Sequence, residues 1–432
     1  MSSSGSISAR QVAEQSHELA RRRLLIAGVA GNILEWYDFS IYGFFALAIG
    51  QHFFPSRSES TELIDAYGAF AAGFLMRPVG AVLFGRIGDR QGRHHALMLS
   101  VLAMALPTFI IGLLPTYQDI GITASVLMVV MRLIQGLSVG GEFTTSVVFM
   151  VEHAEQSKRG VVGAFGSAGA FAGVLLGSAV GTLIAMLMPQ HALEAWGWRI
   201  PFLLGISIGI AGYFIRRELT DSGGAGHPEA PPFGEVFRAE WRRILHIAGV
   251  KVLDAVGFYL MFVYSTTYLS EIVGLTHRRA LAINTLGMAV ALVMLPVAGA
   301  LSDRIGRKPV MAAAAILVMI FAWPLFNLLW HPALHVPIFG QVGFAILIAL
   351  FDGVSPAVAV EAFSPRVRCT AVAISHNLVM GLLGGTAPMV ATYLIDKTNS
   401  EMAPPVFLMI AAVISLICVL KLAETARRPL PT

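Results

Sequence analysis

Twelve apolar runs, nearly all long enough to cross a bilayer, fill this chain and leave it few folds to choose from. They lie near 24–49, 63–85, 96–115, 124–150, 160–187, 197–215, 244–269, 280–301, 309–330, 337–361, 370–394 and 403–422. A spanning helix needs about 20 residues. A lone segment in hydrocarbon must also satisfy its own backbone hydrogen bonds, so each run is predicted to be a helix. Charged residues are only 13% of the chain, against roughly 25% in a soluble domain. The expected class is an all-α membrane protein.

A short basic turn occurs twice, between spans two and three and between spans eight and nine. The first copy is Gly85, Asp89, Arg90, Gly92 and Arg93; the second is Gly299, Asp303, Arg304, Gly306 and Arg307. They stand half the 432-residue chain apart. Glu152 with Arg159 in the first half matches Glu361 with Arg368 in the second, at one common offset. Two six-helix units of one topology give pseudo-symmetric bundles about an axis along the membrane normal. The expected organisation is a tail over 1–23, a first bundle over 24–215, a linker over 216–243, a second bundle over 244–422 and a tail over 423–432.

Lys and Arg set the orientation. With both termini in the cytoplasm, most of the 30 Lys and Arg are cytoplasmic. Arg57, Arg199, Arg278, Arg279 and Lys397 then lie outside, and Arg77, Arg132 and Lys251 lie within spans. The net charge of +4 reports this topology rather than nucleic-acid binding. Residues 1–23 precede a run too long for a signal peptide, which is read as the first span. Cys369 and Cys418 are placed too differently for a disulfide.

A charge at mid-bilayer costs roughly 2.5–3.5 kcal/mol on insertion scales, so each one needs a partner, a cavity or a function. Glu35, Asp38 and Tyr42 share one face of span one. Arg132 and Gln135 share a face of span four, and Glu142 follows. Lys251 and Asp254 in span seven read as a structural pair. Asp352 lies in span ten, His376 and Asn377 in span eleven. The functional reading is a polar cavity between the halves, with an acid that takes and releases a proton. A static ion pair is the competing reading. Expected coupling residues are Asp38, Glu35, Arg132 and Glu142; expected solute contacts are Arg132, Gln135, Tyr42, Tyr259, His376 and Asn377. Arg77 is expected to support the cytoplasmic gate. There Gly85, Asp89, Arg90, Arg93, Glu152, Arg159, Asp303, Arg307, Glu361 and Arg368 would form a latch, the aspartates receiving backbone N–H groups of a neighbouring helix or pairing with basic side chains.

Other chemistry is missing from the sequence. No phosphate-cradling G-x-x-x-x-G-K-[ST] motif occurs, so direct ATP coupling is not expected. The histidines at 94, 95, 331 and 335 have no supporting ligands for a metal. No catalytic constellation points to an enzyme. The expected partners are a small polar solute, protons and the bilayer, with no cofactor beyond the coupling proton, and a monomer.

The duplicated turn resembles the hallmark of the major facilitator superfamily; His94 departs from its usual basic pair, while Arg307 and Lys308 complete the second copy. Within it, the chain is similar to the metabolite:proton symporter family. The matching stretches are 31–43, 74–80, 135–143, 196–202 and 384–388. The resemblance implies twelve helices in two bundles and an inner-membrane protein that imports small organic solutes with protons. Known relatives handle citrate, 2-oxoglutarate, shikimate, proline and betaines. More distantly, Tyr37, Asp38 and Arg132 resemble the coupling pair of proton-linked sugar porters. Osmosensory relatives often carry a long C-terminal coiled coil, and this chain stops about ten residues after its last span, with no heptads. The expectation is therefore a proton-coupled symporter of a small carboxylate, such as a di- or tricarboxylate, working by alternating access. The alternatives are uptake of a zwitterionic osmolyte such as proline or betaine, which Trp36, Tyr37 and Tyr259 suit, and an exporter of the same fold. A receptor built on this scaffold would need a larger soluble extension.

Overall fold

Helix accounts for most of the described residues, which are 32–33, 35–91, 93–138, 142–217, 233–331, 333 and 335–431 of a computed structural model; no strand occurs among them. They group into twelve spans. Span one lies within 32–53 and is interrupted at Phe45. Span two is Glu59–Leu75 with Arg77–Gln91, span three Arg93–Leu113, span four Ile122–Ser138 with Glu142–Glu152, span five Arg159–Leu187 and span six Arg199–Arg217. Span seven runs from Phe233 through Val252–Phe258 to Ile272, and span eight is His277–Ile305. Span nine is Arg307–Leu329, span ten Val336–Asp352 with Ser355–Glu361, span eleven Arg368–Val379 continuing to Ala387–Thr398, and span twelve Ala403–Lys421.

Eight of these, among the described residues, are long and apolar enough to cross a membrane. Local causes shorten the rest. Span two is split at Met76, just before the buried Arg77. Among the described residues, spans three and six show shorter apolar helices, Met98–Leu113 and Arg199–Ala211. Span two also begins earlier than its apolar run. The Ser58 side chain accepts the Thr61 N–H, and Glu59 and Glu62 favour the positive end of the helix. Span seven begins at Phe233, inside the stretch expected as linker, because Val236 and Ile244 bury one face of a charged helix.

The two halves meet along spans five and eight, with further seams between two and eleven, four and eleven, and five and ten. Where five meets eight the backbones touch. A Cβ on Gly160 would stand 2.5 Å from the Gly299 carbonyl oxygen, and one on Gly299 would stand 2.5 Å from that of Gly160. The glycine that opens the second turn thus permits this contact. Spans seven and eleven contain π-wound stretches, Tyr259–Tyr264, Tyr268–Ile272 and Met380–Gly384. Such turns often mark functional positions, and here they begin beside the central polar residues.

Candidate functional site

The first-half site is a hydrogen-bonded chain crossing three helices. Asp38 of span one accepts the Thr108 hydroxyl at 2.8 Å. Gln135 donates its amide to Thr108 Oγ1 at 2.7 Å, and accepts Arg132 Nη1 at 2.8 Å. Asp38 and Arg132 are therefore joined through Thr108 and Gln135. Thr108 also approaches the Met104 carbonyl at 2.8 Å. A hydroxyl has one hydrogen, so it serves only one of these two acceptors at a time.

Arg132 is fully buried. Its guanidinium carbon lies 4.4 Å from the Tyr42 ring centre, with Phe39 and Phe70 at 5.0 and 5.1 Å. Tyr42 itself donates to the Ala66 carbonyl at 3.0 Å, so it offers Arg132 its ring face. Arg77 stacks on Phe74 and Phe39 at 4.1 and 4.6 Å, and stands 3.9 Å from Glu35. It belongs to this buried cluster within the span; the sequence reading gives it a supporting role at the cytoplasmic gate. The proline-bearing restart of span two places it mid-helix, facing span one.

Several donors here lack an acceptor. Among the described residues, Arg77 Nε and Nη2, Arg132 Nε and Nη2, Trp36 Nε1 and Tyr259 Oη are buried with no hydrogen-bond partner. Trp36 and Tyr259 rings are 6.2 Å apart, and Arg77 lies 5.7 Å from the Trp36 ring. Unpaired polar groups in such a setting cost about 1–3 kcal/mol each.

The second half presents a different cluster. Lys251 Nζ bonds Asp254 and, at 2.7 Å, the Ser355 hydroxyl. Ser355 reaches Asp254 at 3.0 Å. Ser167 of span five donates to Asp352 at 2.8 Å across the seam between the halves. Lys251, Asp254, Asp352, Ser167 and His376 line one cavity of about 20 Å³, together with Trp36, Phe143 and Phe258. That volume is room for a water, not for an organic solute. The aromatic wall is continuous: Trp36 is 5.1 Å from Phe258 and 6.4 Å from Phe143, whose ring stacks on His376 at 4.8 Å.

Both ends of the seam are tied. At the end bearing the duplicated turns, Asp303 accepts the N–H groups of Gly160 and Val161 at 2.8 and 3.0 Å, opening span five. Arg307 bridges Asp303 at 2.7 Å and Glu361 at 3.1 Å, and Arg368 reaches Glu152 at 2.5 Å. Arg159 donates to the Arg428 carbonyl at 2.9 Å. Glu424 accepts the N–H groups of Arg307 and Lys308 at 2.9 and 3.0 Å. Burial pushes the Glu424 carboxyl up, but backbone N–H donors from Ala426, Arg307, Lys308 and Thr425 together hold it below the usual carboxylate range. At the other end, Tyr67 meets Thr267 at 2.7 Å, Ser60 meets Asp396 at 2.8 Å and Thr285 meets Ser178 at 2.8 Å. The conformation is closed at both ends.

Of the residues singled out from the sequence, Asp38, Arg132, Gln135, Tyr42 and Tyr259 gather with Glu35 and Arg77. His376 lines the second cluster. Asn377 is half-buried, and no hydrogen bond among the described residues ties it to either cluster. The side chains of Glu142, Gly85, Asp89, Arg90 and Arg93 lie outside the described residues. Sequence reasoning missed Thr108, Ser167 and Ser355, and read Lys251 with Asp254 as a self-contained pair. The spacing of Asp352 and Ser355 on span ten was the available signal.

Comparison with known proteins supports one assignment. Over residues 24–223 and 229–432 the chain matches the family described as "Sugar (and other) transporter". It is 34% identical over 424 residues to a glycine betaine/proline/ectoine/pipecolic acid transporter of Dickeya dadantii, covering 95% of this chain and 84% of that one. It is 30% identical over 403 residues to a citrate–proton symporter of Klebsiella pneumoniae, covering 92% and 91%. Its fold is similar to the partially occluded, inward-open xylose transporter of Escherichia coli, with a TM-score of 0.72 at 17% identity over 93% of this chain and 98% of that one. The chain belongs to the sugar (and other) transporter family, and is a membrane transporter with the major facilitator fold.

Proposed function

We propose that this protein imports a small zwitterion together with a proton, the solute carrying a carboxylate at one end and a secondary or quaternary ammonium at the other, as in proline and glycine betaine. The observation that carries this reading is the convergence of unpaired buried donors beside an aromatic wall. Arg77, Arg132, Trp36 Nε1 and Tyr259 Oη supply donors for a carboxylate. Trp36, Phe143 and Phe258 supply faces for a cation. The Dickeya relative points the same way. This reverses the preference drawn from the sequence, where a di- or tricarboxylate stood first.

Asp38 is the proton carrier in this reading. Ionised, it takes the Thr108 hydrogen; protonated, it releases that hydrogen to the Met104 carbonyl. The change passes through Gln135 to Arg132, whose remaining N–H groups meet the solute. The end bearing the duplicated turns faces the cytoplasm, as do both chain termini, in a bacterial-type inner membrane. Asp303, Arg307, Glu361, Arg368, Glu152 and Arg159 then form the inner latch, while Tyr67, Thr267, Ser60 and Asp396 form the outer one. Rocking releases them in turn.

A second reading is a carboxylate symporter. Two guanidiniums in one cluster favour it, as does the citrate–proton relative. Proteoliposomes with an imposed pH gradient separate the two. Labelled proline or glycine betaine should accumulate and collapse with a protonophore. Accumulation of citrate or 2-oxoglutarate, with neither zwitterion taken up, overturns the zwitterion reading. Uptake that needs sodium and ignores the proton gradient overturns proton coupling.

A further inference from the structure

The second-half cluster holds more acid than its cation can balance. Asp254 and Asp352 are both buried and line the same cavity. Lys251 is the one full cation among the described residues lining that cavity, and it is already committed to Asp254 and Ser355. From span eleven His376 faces them, its ring stacked on Phe143. Among the described residues, the Ser167 hydroxyl alone does so from span five, and from span one only the indole of Trp36, whose Nε1 has no hydrogen-bond partner among them. Two ionised carboxyls side by side in a dry site repel strongly, and one lysine offsets one of them.

We infer that Asp254 and Asp352 form a second proton-binding site, one proton shared between the two carboxyls where span five of the first half meets span ten of the second. The step is a plain proton transfer: a hydronium ion breaks one of its O–H bonds and leaves as water while an O–H bond forms on one carboxyl oxygen, and the reverse transfer to water releases the proton. The cavity of about 20 Å³ has room for one water beside Trp36 and the carboxyls, which would supply the transfer partner. Rocking of the halves must part Ser167 from Asp352. Losing that hydroxyl removes a donor from the ionised form and strengthens the hold on the proton; regaining it weakens the hold. Proton occupancy is thus tied to the position of the seam. The site deepens the coupling part of the proposed function and requires no particular solute.

Infrared difference spectroscopy of the purified full-length protein in lipid, titrated with no transported solute present, tests this directly. The wild type should show a protonated-carboxyl C=O band at neutral pH. Asp352→Asn should remove it. Asp254→Asn should remove it too, because Asp352 then stands alone opposite Lys251. Asp38→Asn should leave this band in place. Ser167→Ala should raise its titration midpoint by about one pH unit. A band that survives both Asp352→Asn and Asp254→Asn overturns the site. A midpoint unmoved by Ser167→Ala overturns its link to the seam. If Asp352→Asn fails to fold, Asp254→Asn and Ser167→Ala decide. Solute specificity plays no part in the readout, so failure here is distinct from failure of the zwitterion reading.

Discussion

The two halves carry polar residues on the same scaffold and use them in opposite ways. In the first, Arg132 reaches Asp38 only through Gln135 and Thr108, and two guanidiniums keep N–H groups without acceptors. In the second, Lys251, Asp254 and Ser355 bond one another and leave the excess acid, Asp352, to the Ser167 hydroxyl. That cluster turns its donors onto its own acids and has little to offer a solute. One that leaves donors open, and hangs them on a hydroxyl with a choice of acceptors, responds to what enters. The pseudo-symmetry therefore extends to the scaffold and the turns, but not to the chemistry.

The largest effect should come from Arg132. Arg132→Ala removes the buried charge proposed to meet the solute carboxylate, a change that costs about 2–5 kcal/mol in comparable settings. Uptake should fall by about 30-fold or more with normal membrane insertion. Arg132→Lys keeps the charge, loses the planar fork, and should recover little. Near wild-type uptake by Arg132→Ala would break the comparison. Next is Gly160→Ala, which forces a Cβ against the Gly299 carbonyl. Overpacking of this kind costs about 1–3 kcal/mol, here charged to the form closed at the turn-bearing end. Cysteine labelling of the seam from that side should rise by about fivefold at the lower end of that cost. Unchanged labelling would show that the backbone contact does not hold the halves.

The smallest effect should come from Glu424→Gln, which weakens an acceptor for the N–H groups of Arg307 and Lys308. Because the folded-state carboxyl is held below the usual range, its contribution is present above the unfolded pKa and lost as pH falls through the folded one. The variant should match wild-type stability in acid and fall slightly below it at neutral pH, measured by thermal melts across pH. A deficit that grows toward acid would contradict the assignment.

Most of the fold was legible because hydrocarbon leaves the backbone few options. Apolar length gave the spans, and the paired Gly–Asp–Arg turns showed the duplication. Boundaries slipped where a helix continues past the apolar run, as at Ser58 and Phe233, since capping and amphipathic burial sustain it there. The site was legible as a set of buried charges, not as a wiring diagram. Asp38 and Arg132 looked like a direct pair because sequence shows charges and hides the neutral groups between them; Thr108 sits after Pro107 on a third helix with nothing local to mark it. The ring neighbours of Arg77 were not legible, because Trp36 and Phe39 come from another span and only Phe74 from its own.

The claim at the centre of this account is that Asp38 couples the proton while the solute is held elsewhere. Counterflow and uphill uptake of labelled proline or glycine betaine, measured in the same vesicles for wild type, Asp38→Asn and Thr108→Val, test it most directly. Asn mimics the protonated acid, so the loaded carrier still rocks and counterflow should persist. Uphill accumulation should fall by tens of fold, since one charge moved through 100 mV is worth about 2.3 kcal/mol. Thr108→Val, which cuts the link to Gln135, should lower accumulation by a smaller factor with solute affinity nearly unchanged. If Asp38→Asn concentrates solute as well as wild type, the proton is carried elsewhere and the assignment of coupling to the first half is wrong.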